Sequence, residues 1–263
     1  TRHMLSDINC IAESTFKALL RQRLTAFFLT LTAIFIGFGL LMSTVDIGVR
    51  FRLFENLLLG MQTFLLHIAG WLYLFEMVRK EQSLGLFVLP LTTTIKRSHY
   101  FIGRFLGVVW LMLLLLAFFA IIDSLLMLII SGSVNIGLLQ QLYLLSLSAL
   151  LSMATLYFLT TLVSPVNAII YSVIIWFIGN GLDELLLFAE KKLTATSTEL
   201  IRGLYYLWPN FSFFDKTELV ANEIGLSWQQ IAFPSIYSLL YSSLLLWAAT
   251  LIYQRKALNP MAE

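Results

Sequence analysis

The sequence predicts an all-α integral membrane protein with six transmembrane helices, and three observations carry that expectation. Hydrophobic residues fill 59% of the 263 positions and charged residues 12%, against about 45–50% and about 25% in soluble domains. Mean hydropathy is +0.85, too high for the chain to cover a water-facing globule with polar surface. Six runs, at 26–45, 57–77, 104–130, 138–163, 166–188 and 228–253, are apolar over the roughly 20 residues that a helix needs to cross a bilayer. They are continuous rather than alternating, which selects helices over the strands of a membrane barrel. The whole of 1–263 reads as a single transmembrane domain.

Ahead of the first span, Leu5, Ile8, Ala12, Phe16, Leu19 and Leu20 recur at helical spacing, with Ser14, Lys17 and Arg21 on the opposite face. That pattern predicts an amphipathic helix over 5–23 lying in the membrane interface. Its apolar side would face the acyl boundary and its cations the headgroups.

Spans two and three are joined by 79–103, RKEQSLGLFVLPLTTTIKRSHYFIG. Leu84, Leu86, Phe87, Val88, Leu89 and Leu91 are too apolar for a solvated connector, and Pro90 breaks the run short of a span. A short helix across the membrane face is expected there, packed against a partner or against the chain's own spans. The junction Ser164–Asn167 between spans four and five is short, and its Pro165 suits the first turn of a helix. It offers a small knob for contact. Between spans five and six, 189–227 predicts helices near Thr198–Leu207 and Asp215–Asn222, separated by Trp208-Pro209-Asn210-Phe211. Its aromatic residues suit the headgroup level.

Sidedness follows from lysine and arginine placement. Lys17, Arg21, Arg23, Arg79, Lys80, Lys96, Arg97, Arg104, Arg255 and Lys256 fall on one side, against Arg50 and Arg52 in the short loops of the other. Lys191, Lys192, Arg202 and Lys216 occupy a long loop, which counts less. Both termini are therefore expected in the cytoplasm, with the chain multi-pass in the inner (plasma) membrane.

Little in the chain suggests chemistry of its own. A net charge of +2 leaves no electrostatic footprint for nucleic acid, and the lone Cys10 excludes an internal disulfide framework or a cysteine metal cluster. There is no glycine-rich phosphate loop and no pair of histidines four apart with a glutamate. Gly179-Asn180-Gly181-Leu182-Asp183 places its aspartate one residue too late for the intramembrane aspartyl protease motif. No catalytic, cofactor-binding or metal-ligating residue is expected. Polar groups inside spans remain the place to look for function. His67 lies mid-span and is a candidate pathway or interface residue, with an interhelical hydrogen bond as the plainer reading of a lone histidine in a span. Asp123 is a candidate pathway or interface residue, because burying an unpaired carboxylate is unfavourable. Asp183 and Glu184 are expected to mark a membrane boundary.

Two stretches carry a family resemblance: EQSLGLFVLPLTTTIKRSHYFIGRFLG (Glu81–Gly107), and Tyr205–Lys256 with LWPNFSFFDKTELV and the closing LIYQRKAL. Their order and the span plan resemble the permease subunit of ABC-2 type (type V exporter) ABC transporters, and are similar to permeases associated with multicopper-enzyme maturation. The resemblance implies a second permease copy, a homodimer by expectation, bound to cytoplasmic ATPase subunits that hold ATP and Mg. It implies an elbow helix at the N-terminus and extracellular helices over 199–222. It further implies that Glu81–Arg97 seats in a groove on the ATPase, through Glu81, Leu84, Leu86, Phe87, Leu89, Pro90 and Arg97. Pro165 and its neighbours would make a lesser contact. The cargo is left open. A membrane scaffold that moves nothing, and an ion-coupled carrier working alone, are the alternatives to this exporter.

Overall fold

A computed structural model describes residues 2–43, 50–83, 96–131, 135–192, 195–221 and 225–256. Among the described residues the chain is helical throughout, with one 3-10 turn and no strand. In chain order the helices are α1 (Arg2–Leu20), α2 (Arg23–Ser43), α3 (Arg50–Ser83), α4 (Arg97–Ser131), α5 (Ile136–Leu159), α6 (Pro165–Asn180), α7 (Leu182–Lys192), α8 (Ala195–Leu207), α9 (Thr217–Ala221) and α10 (Trp228–Lys256). The 3-10 turn covers Ser212–Phe214, between α8 and α9.

Among the described residues, four helices are long and apolar enough to cross a membrane: α3 over Glu55–Glu81, α4 over Arg97–Leu128, α5, and α10 over Trp228–Arg255. The run expected as one span at 166–188 is broken. α6 and α7 meet at a 53° bend, so together they form a fifth, interrupted span or a re-entrant loop. α2 is apolar over Arg23–Ile34 but shorter than a span there, and the end of the expected run at 26–45 lies outside the described residues.

The centre of the bundle is α5. In its apolar window 72% of the residues are buried, against 22% for α10, so α5 is wrapped by protein while α10 borders the surroundings. Composition explains this. Ser148, Ala149, Ser152, Ala154 and Thr155 are small and buried, and small side chains let neighbouring backbones come close. Ser152 and Thr155 bond carbonyls of their own helix, while Ser148 reaches across to α3. α3 and α4 run antiparallel, since Glu81 pairs with Arg104 and Gln62 with Asp123. α5 and α10 run the same way, with Tyr143 bonded to Ser235 and Ser238 to the Leu147 carbonyl. The outward faces of α4 and α10 carry Leu113, Leu114, Ile121, Leu125, Leu239, Leu244 and Trp247, all exposed. These are surfaces that hydrocarbon solvates.

The N-terminal helix forms as its periodicity predicts, but its apolar stripe packs on protein. Ile8, Ala12, Thr15 and Leu19 are buried, and α1 lies along the start of α4. Gly103 and Gly107 make the crossing close. A Cβ at Gly103 would stand 2.9 Å from the Ile11 Cβ, and one at Gly107 2.7 Å from the Ala12 carbonyl oxygen. The contact continues through the Phe16 and Trp110 rings, 6.4 Å apart. On the open face of α1, Lys17 donates to Glu13 and holds that carboxyl below its ordinary range.

Candidate coupling site at the basic end of the bundle

The expected coupling region is shorter than a 79–103 loop. α3 continues to Ser83 and α4 begins at Arg97, so Glu81 and Arg97 belong to helix ends. Leu84, Leu86, Phe87, Leu89 and Pro90 lie outside the described residues.

The two helix ends flanking this connector are clasped. Arg104 Nε donates to Glu81 Oε1 at 2.6 Å, and the Tyr100 hydroxyl donates to the same oxygen at 3.1 Å. The guanidinium also lies over the Tyr100 ring, 5.7 Å from its centroid. Tyr100 and Arg104 share a face because they are four apart on one helix. The paired side chains are 19% and 14% exposed, which makes this a mostly buried ion pair rather than a solvated surface contact.

Aromatic packing extends the clasp to two more helices. Phe101 of α4 stacks on Tyr157 of α5 with centroids 4.2 Å apart, and Phe105 lies 5.4 Å from the same ring. The Tyr157 hydroxyl donates to the Phe101 carbonyl at 3.0 Å. Tyr253 of α10 completes the group, 4.8 Å from Phe101. Such ring pairs contribute about 0.5–1.5 kcal/mol each beyond the area they bury. Asp7 of α1 approaches His99 of α4 at 3.6 Å. Five helices therefore converge at this end.

Pro165 is the first residue of α6, as its chemistry suggests. Ser164 before it is extended, with φ −60° and ψ 151°. Pro165 itself is buried while Val166 and Asn167 are exposed, so the knob is formed by its neighbours.

The two candidates within the spans are both engaged. His67 is buried, with Nδ1 2.7 Å from the Thr63 carbonyl oxygen and Nε2 3.1 Å from Ser148 Oγ. Trp176 of α6 and Trp71 flank its ring at 4.9 and 5.8 Å. It joins α3, α5 and α6, as an interhelical histidine should. Asp123 is fully buried, and both its oxygens accept from Gln62 Nε2, at 2.8 and 2.9 Å. The carboxyl is thus partnered, by an amide on α3 that the sequence did not single out.

At the opposite end, Asp183 does more than mark a boundary. It accepts from Ser212 Oγ at 2.5 Å and from Asn210 Nδ2 at 3.4 Å. These bonds fold the 208–214 strap back against α6 and α7. Phe211 N donates to the Gly179 carbonyl at 3.1 Å and Trp208 Nε1 to the Ile175 carbonyl at 3.1 Å. Gln141 of α5, fully buried, holds the strap from the other side through the Phe214 carbonyl and the Lys216 amide. Partial burial and the Asp183 carboxylate push the Tyr205 phenol up to about 12.

Sequence reasoning missed Arg104, Tyr100 and Gln62 as partners. A signal existed for the first: Glu81 and Arg104 are opposite charges bracketing an apolar connector. For Gln62 there was none, because an amide in a span reads like any other polar residue until its neighbour is known.

No family model matches the chain, and no curated protein matches it either. Fold and site together define a helical membrane protein whose helices are clasped together at one end.

Proposed function

We propose that the chain is the transmembrane subunit of an ATP-driven exporter, working as a passive gate for a separate cytoplasmic ATPase. The observation that supports this best is the Glu81–Arg104 clasp on either side of the apolar 84–95 connector. A partner that displaces the connector pulls on the ends of α3 and α4 together. Through Phe101, Tyr157 and Tyr253 the same displacement reaches α5 and α10. Packed helices move as rigid bodies, so a push at this end tilts several helices instead of melting one loop. In this reading the connector is the coupling segment, seated by Leu84, Leu86, Phe87, Leu89 and Pro90 in a groove of the ATPase, and the knob beside Pro165 makes a second contact. ATP and Mg belong to the partner. Two copies of the chain form the gate, with six spans each and both termini cytoplasmic.

The test is co-purification of the complex from its native membrane, followed by reconstitution. The expected result is a P-loop ATPase bound to the chain, with hydrolysis stimulated by a transported substrate. Leu86→Asp combined with Glu81→Arg releases the ATPase. A purified chain that transports without any ATPase refutes the proposal, as does full ATPase binding by the double variant. A bound ATPase whose hydrolysis ignores every substrate indicates a scaffold.

A further inference from the structure

Asp123 of α4 is fully buried, yet the side chain bonded to it is an uncharged amide. Gln62 Nε2 of α3 serves both carboxyl oxygens, at 2.8 and 2.9 Å. Gln62 is itself only 5% exposed, and its Oε1 is buried with no hydrogen-bond partner. Three acceptor oxygens therefore share one donor nitrogen, inside stretches of α3 and α4 apolar enough to lie in a bilayer. A buried carboxylate without a counter-charge and an orphaned acceptor are each unfavourable away from water.

No cation relieves them. Among the described residues Asp123 enters no ion pair, and only burial and the Gln62 amide act on its carboxyl. The helices packed chiefly on α4 are α1, α3, α5 and α10. α5 carries no acidic or basic residue, and α10 has only Arg255 and Lys256, at the end that meets the start of α4. α1 lies along that start too. On α4 itself the nearest charged residue, Arg104, stands about 28 Å along the helix. On α3 the nearest described groups that ionise are Glu55, bonded to Asn135, and His67, turned to Ser148 of α5. An ionised Glu55 adds repulsion. The oxygens are also too few for a hard metal ion, which takes about six or more.

A proton fits. When one Asp123 oxygen is protonated, its O–H donates to Gln62 Oε1 while Nε2 donates to the other oxygen. Oε1 and Nε2 share one carbon, so a turn of the amide plane converts the observed arrangement into this paired ring. The charge and the orphaned acceptor are removed together.

We propose that Asp123 and Gln62 form a proton-binding site between α3 and α4, one that stays occupied where exposed aspartates are ionised. Hydronium supplies the proton and leaves as water, and the new O–H bond cancels the carboxylate charge. Release strands that charge in an apolar interior, so the site discharges when α3 and α4 part far enough to admit water. The site needs no ATPase and stands apart from the exporter reading.

Solid-state carbon-13 NMR of the full-length chain in phosphatidylcholine bilayers tests it, with aspartate labelled at the carboxyl carbon and glutamine at the side-chain nitrogen. Dephasing by that nitrogen picks out the aspartate bonded to a glutamine amide, so the wild type assigns its own signal without a variant. At about pH 6, roughly two pH units above the ordinary aspartate value of about 3.9, this carbon should resonate in the protonated position. Exposed Asp215 should resonate as a carboxylate, and Asp123→Asn should lose the protonated aspartate signal. A dephased carbon in the carboxylate position overturns the proposal, whether water or a cation accompanies it. So does a protonated aspartate signal that survives Asp123→Asn undiminished.

Discussion

Replacing Arg104 with methionine removes the cation of the Glu81 clasp but keeps most of the side chain's bulk. The carboxylate left behind is 14% exposed and retains only the Tyr100 hydroxyl from the bonds described above. Breaking a buried pair from one side destabilises a protein by about 3–5 kcal/mol, because the remaining charge stays desolvated. Little solvent discount applies, since both side chains are well under a third exposed. Glu81→Gln should cost nearly as much for the mirror-image reason. Glu81→Gln together with Arg104→Met strands no charge and should fall within about 1 kcal/mol of the wild type. The double-mutant cycle therefore predicts a coupling of several kcal/mol, read from denaturant titration of each variant in mixed micelles. Two single variants that each cost less than about 1 kcal/mol would refute the reasoning, because they would make the pair equivalent to a solvated surface contact. Simple addition of the two costs in the double variant would refute it as well.

Three further outcomes are expected. Gln62→Leu leaves the buried Asp123 carboxyl without its amide and should destabilise the chain by about 1–3 kcal/mol, with Gln62→Leu/Asp123→Leu recovering much of the loss in the same titration. Gly179→Ala should lower the melting temperature far more than Gly181→Ala. A Cβ at Gly179 runs into the Pro209 carbonyl and the Phe211 ring, whereas at Gly181 the nearest atoms are 3.8 and 3.9 Å away. Carbon-13 NMR of labelled tyrosine should show Tyr205 ionising near 12, and Asp183→Asn should move that midpoint down toward the ordinary phenol range. Because the folded value is the raised one, any stability it contributes is present below about pH 10 and lost as pH climbs toward 12.

Much of the architecture was legible because hydrophobic run length is a one-dimensional property. Residues 57–77, 104–130, 138–163 and 228–253 needed only local composition to announce themselves, and each lies on a helix long enough to cross a membrane or nearly coincides with one. The amphipathic stripe on α1 was equally plain. What covers that stripe was not, since Gly103 and Gly107 look like ordinary spacers until α1 is laid against them. The bend after Asn180 was hidden for a similar reason. Gly181 ends α6 there, but a glycine in a span does not announce a bend, and the strap from Trp208 to Phe214 braces it from outside, through Gly179 and Asp183.

The sequence by itself determined that this chain belongs in a bilayer and where its long helices run, because transfer of apolar residues out of water depends on how many of them stand in a row. Only the tertiary structure decided which polar groups meet. Glu81 found Arg104, Asp123 found Gln62, and His67 found Ser148, across gaps of 23, 61 and 81 residues. A hydrogen bond depends on distance and direction in three dimensions, and the helix-to-helix register that sets both is a property of the packed bundle as a whole.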